Sequence, residues 1–170
     1  EEISEPIGFI DEWIFLYNKL IKRHKIQGIR AFSKESFAKL LINPDISILR
    51  AVFKGKTVAA QIYLKQGNVT HCHLGAANET GYELYAIYAL DWYSIGYFSG
   101  KTNWLNLGGG QNRYGNSNDG LSRYKKGWTD YSRIAYLCGR IYNHNAYNKI
   151  VKKKDCGITN YFPAYRKGEF

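Results

Sequence analysis

Residues 69–110 read VTHCHLGAANETGYELYAIYALDWYSIGYFSGKTNWLNLGGG, and the order of elements inside this stretch decides the fold. Val69–Leu74 has the composition of a strand, and Asn78–Gly81 is a break. Tyr82–Ser99 is nearly all apolar and too long for a strand, so it predicts a buried helix that ends at Gly100. Asn103–Leu107 predicts a second strand, running into Gly108, Gly109 and Gly110. A strand, a crossover helix and another strand in one sheet normally form a right-handed parallel pair. Strands over 69–76 and 103–107 are therefore expected side by side and parallel, with the 82–99 helix packed across them. Ligand sites in such sheets lie at the carboxyl ends of the parallel strands. Here those ends are Leu74–Asn78 and Leu107–Gly110, expected to splay around one cleft.

Toward the N-terminus, Asp11 is placed to cap a helix whose Trp13, Leu16, Tyr17, Leu20, Ile21 and His24 share one face. Ser33 is placed to cap a second helix carrying Phe37, Leu40 and Leu41, which stops before Pro44. Strands over Ile48–Phe53 and Thr57–Leu64 then join Val69–Leu74 in an antiparallel meander. Its turns are Lys54-Gly55-Lys56 and Gln66-Gly67-Asn68. Toward the C-terminus, Asp119-Gly120 leads into a short helix over Leu121–Gly127. Ser132–Ile141 alternates as another strand, Asn143–Lys154 is a last helix, and Asn160–Arg166 is irregular. The fold class is α/β, or α+β: a central mixed sheet flanked by helices, in one domain of 170 residues.

The composition, 45% hydrophobic and 16% aromatic, excludes a disordered chain. Fifteen tyrosines suit the amphipathic walls of a cleft as well as a core. A net charge of +10 favours an anionic partner: tRNA, a nucleotide-linked precursor, coenzyme A or an anionic glycan. Cys72, Cys138 and Cys156 form neither a disulfide framework nor a metal spacing, which points to a reducing, cytoplasmic compartment. No apolar run approaches the roughly 20 residues of a membrane-spanning helix. The acidic start EEISEPIGF does not read as a signal peptide. With no methionine anywhere, a start at Glu1 suggests a cut from a longer protein.

Gly108–Gly110 allow positive φ and leave their N–H groups unshielded, so this turn can hold an anionic or carbonyl group. The short helix beyond carries Arg123, Lys125 and Lys126 beside Tyr124 and Trp128; Arg113 and Tyr114 in the intervening loop are candidate substrate contacts. Asp119 is a candidate general base or ligand acceptor, and equally a helix N-cap. His71 and His73 lie two apart in a strand and would share a face, but no third ligand has a matching spacing, so no metal is expected. Cys72 alternates with them toward the core. Lys126 and Lys152–Lys154 read as solvated helix surface.

The element order resembles the GNAT (acyl-coenzyme A N-acyltransferase) fold. The motifs HLGAANE (73–79), LNLGGG (105–110), DGLSRYKKGW (119–128) and YFPAYR (161–166) resemble its Fem-type branch, the peptidoglycan bridge-forming aminoacyltransferases and their relatives. The likeness runs from about Trp13 to Arg166. It implies transfer of an acyl or aminoacyl group to an amine or hydroxyl of a cell-envelope precursor or glycan, in cell-wall biogenesis. The donor would be an aminoacyl-tRNA or an acyl-coenzyme A acting as co-substrate, with no tightly bound cofactor. Such proteins usually carry two GNAT-like domains. This chain resembles the C-terminal one, so an N-terminal GNAT-like partner domain is expected outside it.

Lys125 matches the lysine of the family's phenylalanine-lysine pair, with Tyr124 in place of the phenylalanine. Lys125 would stabilise a tetrahedral oxyanion or neutralise a donor phosphate, and Asp119 is the second catalytic candidate. His73 matches a family position at the cleft. With Gly108, Gly109, Gly110, Arg113, Tyr114 and Tyr124 it makes up the expected substrate-binding set. Two departures stand out, one being that no long helical-hairpin insertion of the kind some bridge-forming enzymes use for tRNA is apparent. The Q/R-x-x-G-x-G/A loop that cradles coenzyme A pyrophosphate is replaced by Asn78-Glu79-Thr80-Gly81, which favours an aminoacyl-tRNA donor. The alternative is a non-catalytic binding or stabilising lobe, whose cleft would be plugged by its own aromatics.

Overall fold

A computed structural model describes residues 1–110, 119–134, 136 and 138–168. The first helix, α1 (Ile10–His24), does not start on an Asp11 cap. A 3-10 turn over Pro6–Phe9, with proline at its start, leads directly into it. Asp11 and Glu12 lie in the first turn, where they complement the helix dipole, and Asp11 accepts from the Lys34 ammonium at 2.5 Å. Trp13, Leu16 and Tyr17 are buried, with Leu20 and Ile21 packed beside them. His24 falls in the exposed last turn rather than on that face, next to the left-handed Lys25 that ends the helix. Ser33 caps α2 (Lys34–Leu41) as expected, accepting from the Ser36 amide at 3.2 Å.

Among the described residues the sheet has five strands, in the order β1-β2-β3-β4-β5. They are β1 (Glu2–Ile3), β2 (Ile46–Phe53), β3 (Lys56–Gln66), β4 (Val69–Ala77) and β5 (Trp104–Asn106). The β2–β3 loop is Lys54-Gly55, both at positive φ, the conformation that matches the twist of a two-residue hairpin. The very short β1 has no sequence signature. It is held against β2 by pairing and by Arg50, whose guanidinium meets Glu1 at 2.5 Å and Glu12 at 3.7 Å. One face of the sheet (Ile48, Ala60, Ile62, Ala76) packs on α1 and α2. The other (Leu49, Ala59, Tyr63, Ala77) packs on the crossover helix.

That crossover is not one continuous buried helix over 82–99. It is α3 (Glu79–Glu83) and α4 (Ala86–Phe98), separated by Tyr85 in the left-handed conformation. The backbone approach at Gly81 accounts for the tight entry: a Cβ there would lie 2.2 Å from the Val58 carbonyl oxygen. Only Ala86, Leu90, Asp91, Ser94 and Phe98 of α4 are buried, and its opposite side is exposed. A helix lying on one sheet has one face to bury, so apolar length alone overstated its enclosure.

After α5 (Gly120–Lys126), the expected strand over Ser132–Ile141 is not formed among the described residues. Tyr131, Ile134 and Tyr136 are exposed. Alternation signals a strand only when a sheet edge takes it up; here Arg133 instead lies over the Trp104 ring, 5.1 Å from its centroid. The last helix, α6 (His144–Lys153), is capped by Asn143, which accepts from the Ala146 amide at 2.9 Å. The irregular terminus folds back on it, with Phe162 stacked on Tyr147.

Candidate active site

Strands β4 and β5 are adjacent and parallel, pairing Val69 with Trp104, Thr70 with Leu105 and His71 with Asn106. The pairing then stops. At the last rung the Asn106 side-chain amide lies 3.1 Å from Nδ1 of His71. Beyond it β4 runs on to Ala77 paired only with β3, and β5 ends at Asn106, so no ladder joins the two strands at their carboxyl ends. Asn106 Oδ1 also accepts from the Gly108 amide at 2.8 Å, turning the chain outward through a positive φ of 77°.

Helix α5 lies at this opening. Asp119 is its N-cap: one carboxylate oxygen accepts from the Ser122 amide at 2.9 Å and the other from the Ser122 hydroxyl at 2.7 Å. Gly110 packs against that cap, since a Cβ on it would lie 1.9 Å from Ser122 Oγ. Lys125 reaches back over the turn, its ammonium donating to the Gly109 carbonyl at 2.6 Å. Desolvation lowers the Lys125 pKa, against the opposing pull of Cys72, Asp91 and Asp119. Lys126, one position on, is exposed. Gly108–Gly110, Asp119 and Lys125 are thus brought together.

Tyr124 points from the same helix into the fold, and its hydroxyl donates to the Asp91 carboxylate. Burial, then the Asp91 charge, raises the Tyr124 pKa. Asp91 is 3% exposed and also accepts from Gln61 Nε2 at 2.7 Å. Gln61 Oε1 in turn accepts from the Tyr63 hydroxyl at 2.7 Å, and Gln61 Nε2 lies 3.8 Å from Cys72 Sγ. Burial and the Asp91 charge push the Cys72 thiol up to about 12. This buried chain of polar groups was not anticipated from the sequence. Its one signal was Asp91 itself, the sole charged residue in the apolar run of α4.

His73 is not part of this cluster. The register slips where Ile62 pairs with Leu74 and Tyr63 with Cys72, leaving His73 as the extra residue of a bulge. The slip also removes the regular alternation that would have put His71 and His73 on one face. His73 is exposed, its side chain hydrogen-bonds no other described residue, and desolvation lowers its pKa. Arg113 and Tyr114 lie outside the described residues. Among the described residues, no group of three His, Cys, Asp or Glu side chains is placed to hold a metal ion. No helix among them is long and apolar enough to cross a membrane.

Aromatic rings pack α5 against α4 beside this opening. The Tyr124 ring packs edge-on to Tyr88, with centroids 4.6 Å apart, and Trp128 flanks both. A cavity of about 90 Å³ lies elsewhere, beside Tyr63, Thr70 and Lys101, and a recess of about 310 Å³ lies by Glu2, Glu12 and Arg50. The start of α3, where GNAT enzymes hold the coenzyme A pyrophosphate, does not fit that group. Asn78 Oδ1 already takes the Gly81 amide at 2.9 Å. The Glu79 carboxylate stands beside it and is paired with Lys19 at 3.3 Å, while the second nearby cation, Arg23, lies over the Tyr82 ring, 3.4 Å from its centroid.

No protein-family model matches the sequence, and no curated protein matches it. Solved structures do. An aminoglycoside acetyltransferase from an uncultured soil metagenomic sample, in complex with sisomicin, superposes with a TM-score of 0.57 at 13% identity, covering 83% of this chain and 95% of that one. A possible acetyltransferase from Clostridium difficile 630 gives 0.57 at 13% identity, over 82% and 98%. A ribosomal-protein-alanine N-acetyltransferase from Brucella melitensis biovar Abortus 2308 gives 0.51 at 12% identity, over 82% and 99%. The chain therefore has the GNAT-type fold, a mixed five-stranded sheet flanked by helices.

Proposed function

We propose that the chain is an acyltransferase of GNAT type, moving an acyl or aminoacyl group from an activated carrier to an amine or hydroxyl. The observation that carries this reading is the end of the β4–β5 ladder at His71 and Asn106, with α5 setting Lys125 at Gly109 beside the opening. The chemistry asked of such a site is modest. An activated ester needs an aligned nucleophile and a cation or amide donors for the tetrahedral oxyanion. The acetyltransferases that share the fold support the reaction class. Between an aminoacyl-tRNA and an acyl-coenzyme A, the occupied start of α3 argues for the aminoacyl-tRNA. The Fem-like motifs argue for a cell-envelope acceptor and for a second GNAT-like domain in the working enzyme.

A second reading has its own support. The Tyr88–Tyr124–Trp128 cluster packs α5 onto α4 beside the opening, which suits a binding or stabilising lobe whose partner domain does the chemistry. One experiment separates the two readings. Labelled aminoacyl-tRNA and labelled acetyl-coenzyme A are each presented with amine- and hydroxyl-bearing envelope precursors. Transfer from either donor supports the enzyme reading. Donor binding without transfer supports the lobe, and neither binding nor transfer sinks both.

A further inference from the structure

The outer face of α4 carries Tyr88, Trp92, Tyr93 and Ile95, which are 50%, 73%, 45% and 43% exposed, and Leu84 and Tyr85 extend it at 46% and 70%. No charged side chain interrupts the helical part of that face, since the one charge of α4, Asp91, is buried. Gly96 lies on the same face, and a Cβ there would meet nothing within 4 Å. The fold itself therefore does not require glycine at this position, although glycine is the poorest helix former after proline. A glycine there leaves room for a group outside the fold to approach the helix backbone closely.

We propose that this face is where two copies of the chain meet, their α4 helices packed antiparallel about a two-fold axis at Trp92. Three observations select a second copy as the occupant. Side chains of this size and exposure offer on the order of 600–700 Å² per copy, close to the roughly 800 Å² per partner of a stable interface. The self-complementary register is met by the sequence: an axis at Trp92 sets Tyr88 of one copy over Gly96 of the other, and Ala89 against Ile95. Finally, copies of net charge +10 repel wherever their basic surfaces face each other, and this face lets them meet without doing so. The uncharged face also excludes nucleic acid as the occupant, because it offers no cation to phosphate. Tyr88 packs on Tyr124, so association would brace α5 from behind.

Sedimentation velocity across the micromolar range tests this. The wild-type chain is expected to sediment as a dimer that dissociates on dilution. Trp92→Glu is expected to weaken association by more than about tenfold. Gly96→Leu fills open space in the single chain, so it should leave circular dichroism and thermal melting intact while abolishing the dimer. Should Trp92→Glu disturb folding, Gly96→Leu decides alone. A wild-type chain that stays monomeric throughout, or a dimer indifferent to Gly96→Leu, overturns the proposal.

Discussion

The Tyr124 hydroxyl on α5 and the Asp91 carboxylate buried in α4 share a hydrogen bond, which anchors the helix carrying Lys125 to the core. Asp91 is already committed to Gln61, and through it to Tyr63, so the anchor ends in the centre of the sheet. A buried carboxylate stripped of one donor costs about 1–3 kcal/mol, more than the bond itself contributes. Tyr124→Phe is therefore expected to lower stability to urea by about that amount. Amide exchange at Ser122 and Arg123 should accelerate, while β3 stays protected. Unchanged exchange in α5 would mean that the ring stacking on Tyr88, not the hydrogen bond, holds the helix.

Gly110 and Gly109 make a matched pair of tests. A methyl at Gly110 would sit 1.9 Å from Ser122 Oγ and 3.0 Å from Asp119 Oδ2, whereas one at Gly109 meets nothing within 4 Å. Gly110→Ala should destabilise by about 1–3 kcal/mol, as overpacking does, and Gly109→Ala by much less. Adding Ser122→Ala to Gly110→Ala should recover part of the loss, because the clashing hydroxyl is gone. Melting temperatures of the four proteins check this; no recovery would place the strain in the backbone instead.

The strands β2, β3 and β4 were legible as strand-like runs between short turns, although both their faces are buried, and α1 and α2 because one buried face imposes a helical period. The parallel β4–β5 pair was legible because an apolar segment as long as 82–99 has few ways to join two strands. The bulge at His73 was not, since a one-residue slip leaves no mark in composition yet changes which way the side chain points. Asp91 was overlooked for a related reason. A lone carboxylate in an apolar helix reads as surface until its partners are known, and Gln61 and Tyr124 come from β3 and α5, far away in sequence. Ser132–Ile141 misled in the opposite direction: among the described residues its alternation is not taken up by β5, the edge strand, although Arg133 lies over Trp104.

Alkaline conditions should unfold the protein through the same buried groups. The Cys72 thiol is raised from 9.0 to about 12, and the Tyr63 and Tyr124 phenols are raised from 10.0. Between the unfolded and folded values the native state holds protons that the unfolded chain has released. Stability from these groups is therefore complete below pH 9 and falls as pH rises toward 12. Lys125 acts with the opposite sign: its depressed pKa makes the native state release a proton first, adding stability as pH approaches 10.5. Urea midpoints at pH 8, 9 and 10 (on the order of one pKa unit apart) should fall for wild type. They should fall less for Cys72→Ala and more for Lys125→Ala. A profile that Cys72→Ala leaves unaltered would show that the thiol ionises freely in the native state.

Lys125 and Lys126 provide the test of mechanism. They are neighbours on one short helix, turned about 100° apart, so only one can address the opening squarely. The Lys125 ammonium is 2.6 Å from the Gly109 carbonyl and half-buried, while Lys126 extends into solvent. On the proposed transferase reading, Lys125 would meet a developing oxyanion or a carrier phosphate from that position. Losing a charge-assisted contact formed in the transition state costs about 2–4 kcal/mol, or tens to hundreds of fold in rate. Single-turnover transfer by Lys125→Ala should fall by that factor, and transfer by Lys126→Ala should stay near wild type. Because Lys125 also ties down Gly109, thermal melting must be measured beside the rate. A rate loss matched by a large drop in melting temperature would assign Lys125 to holding the glycine turn. A large rate loss in a protein that melts normally would assign it to the reaction, and equal small losses from both variants would leave it one more surface lysine.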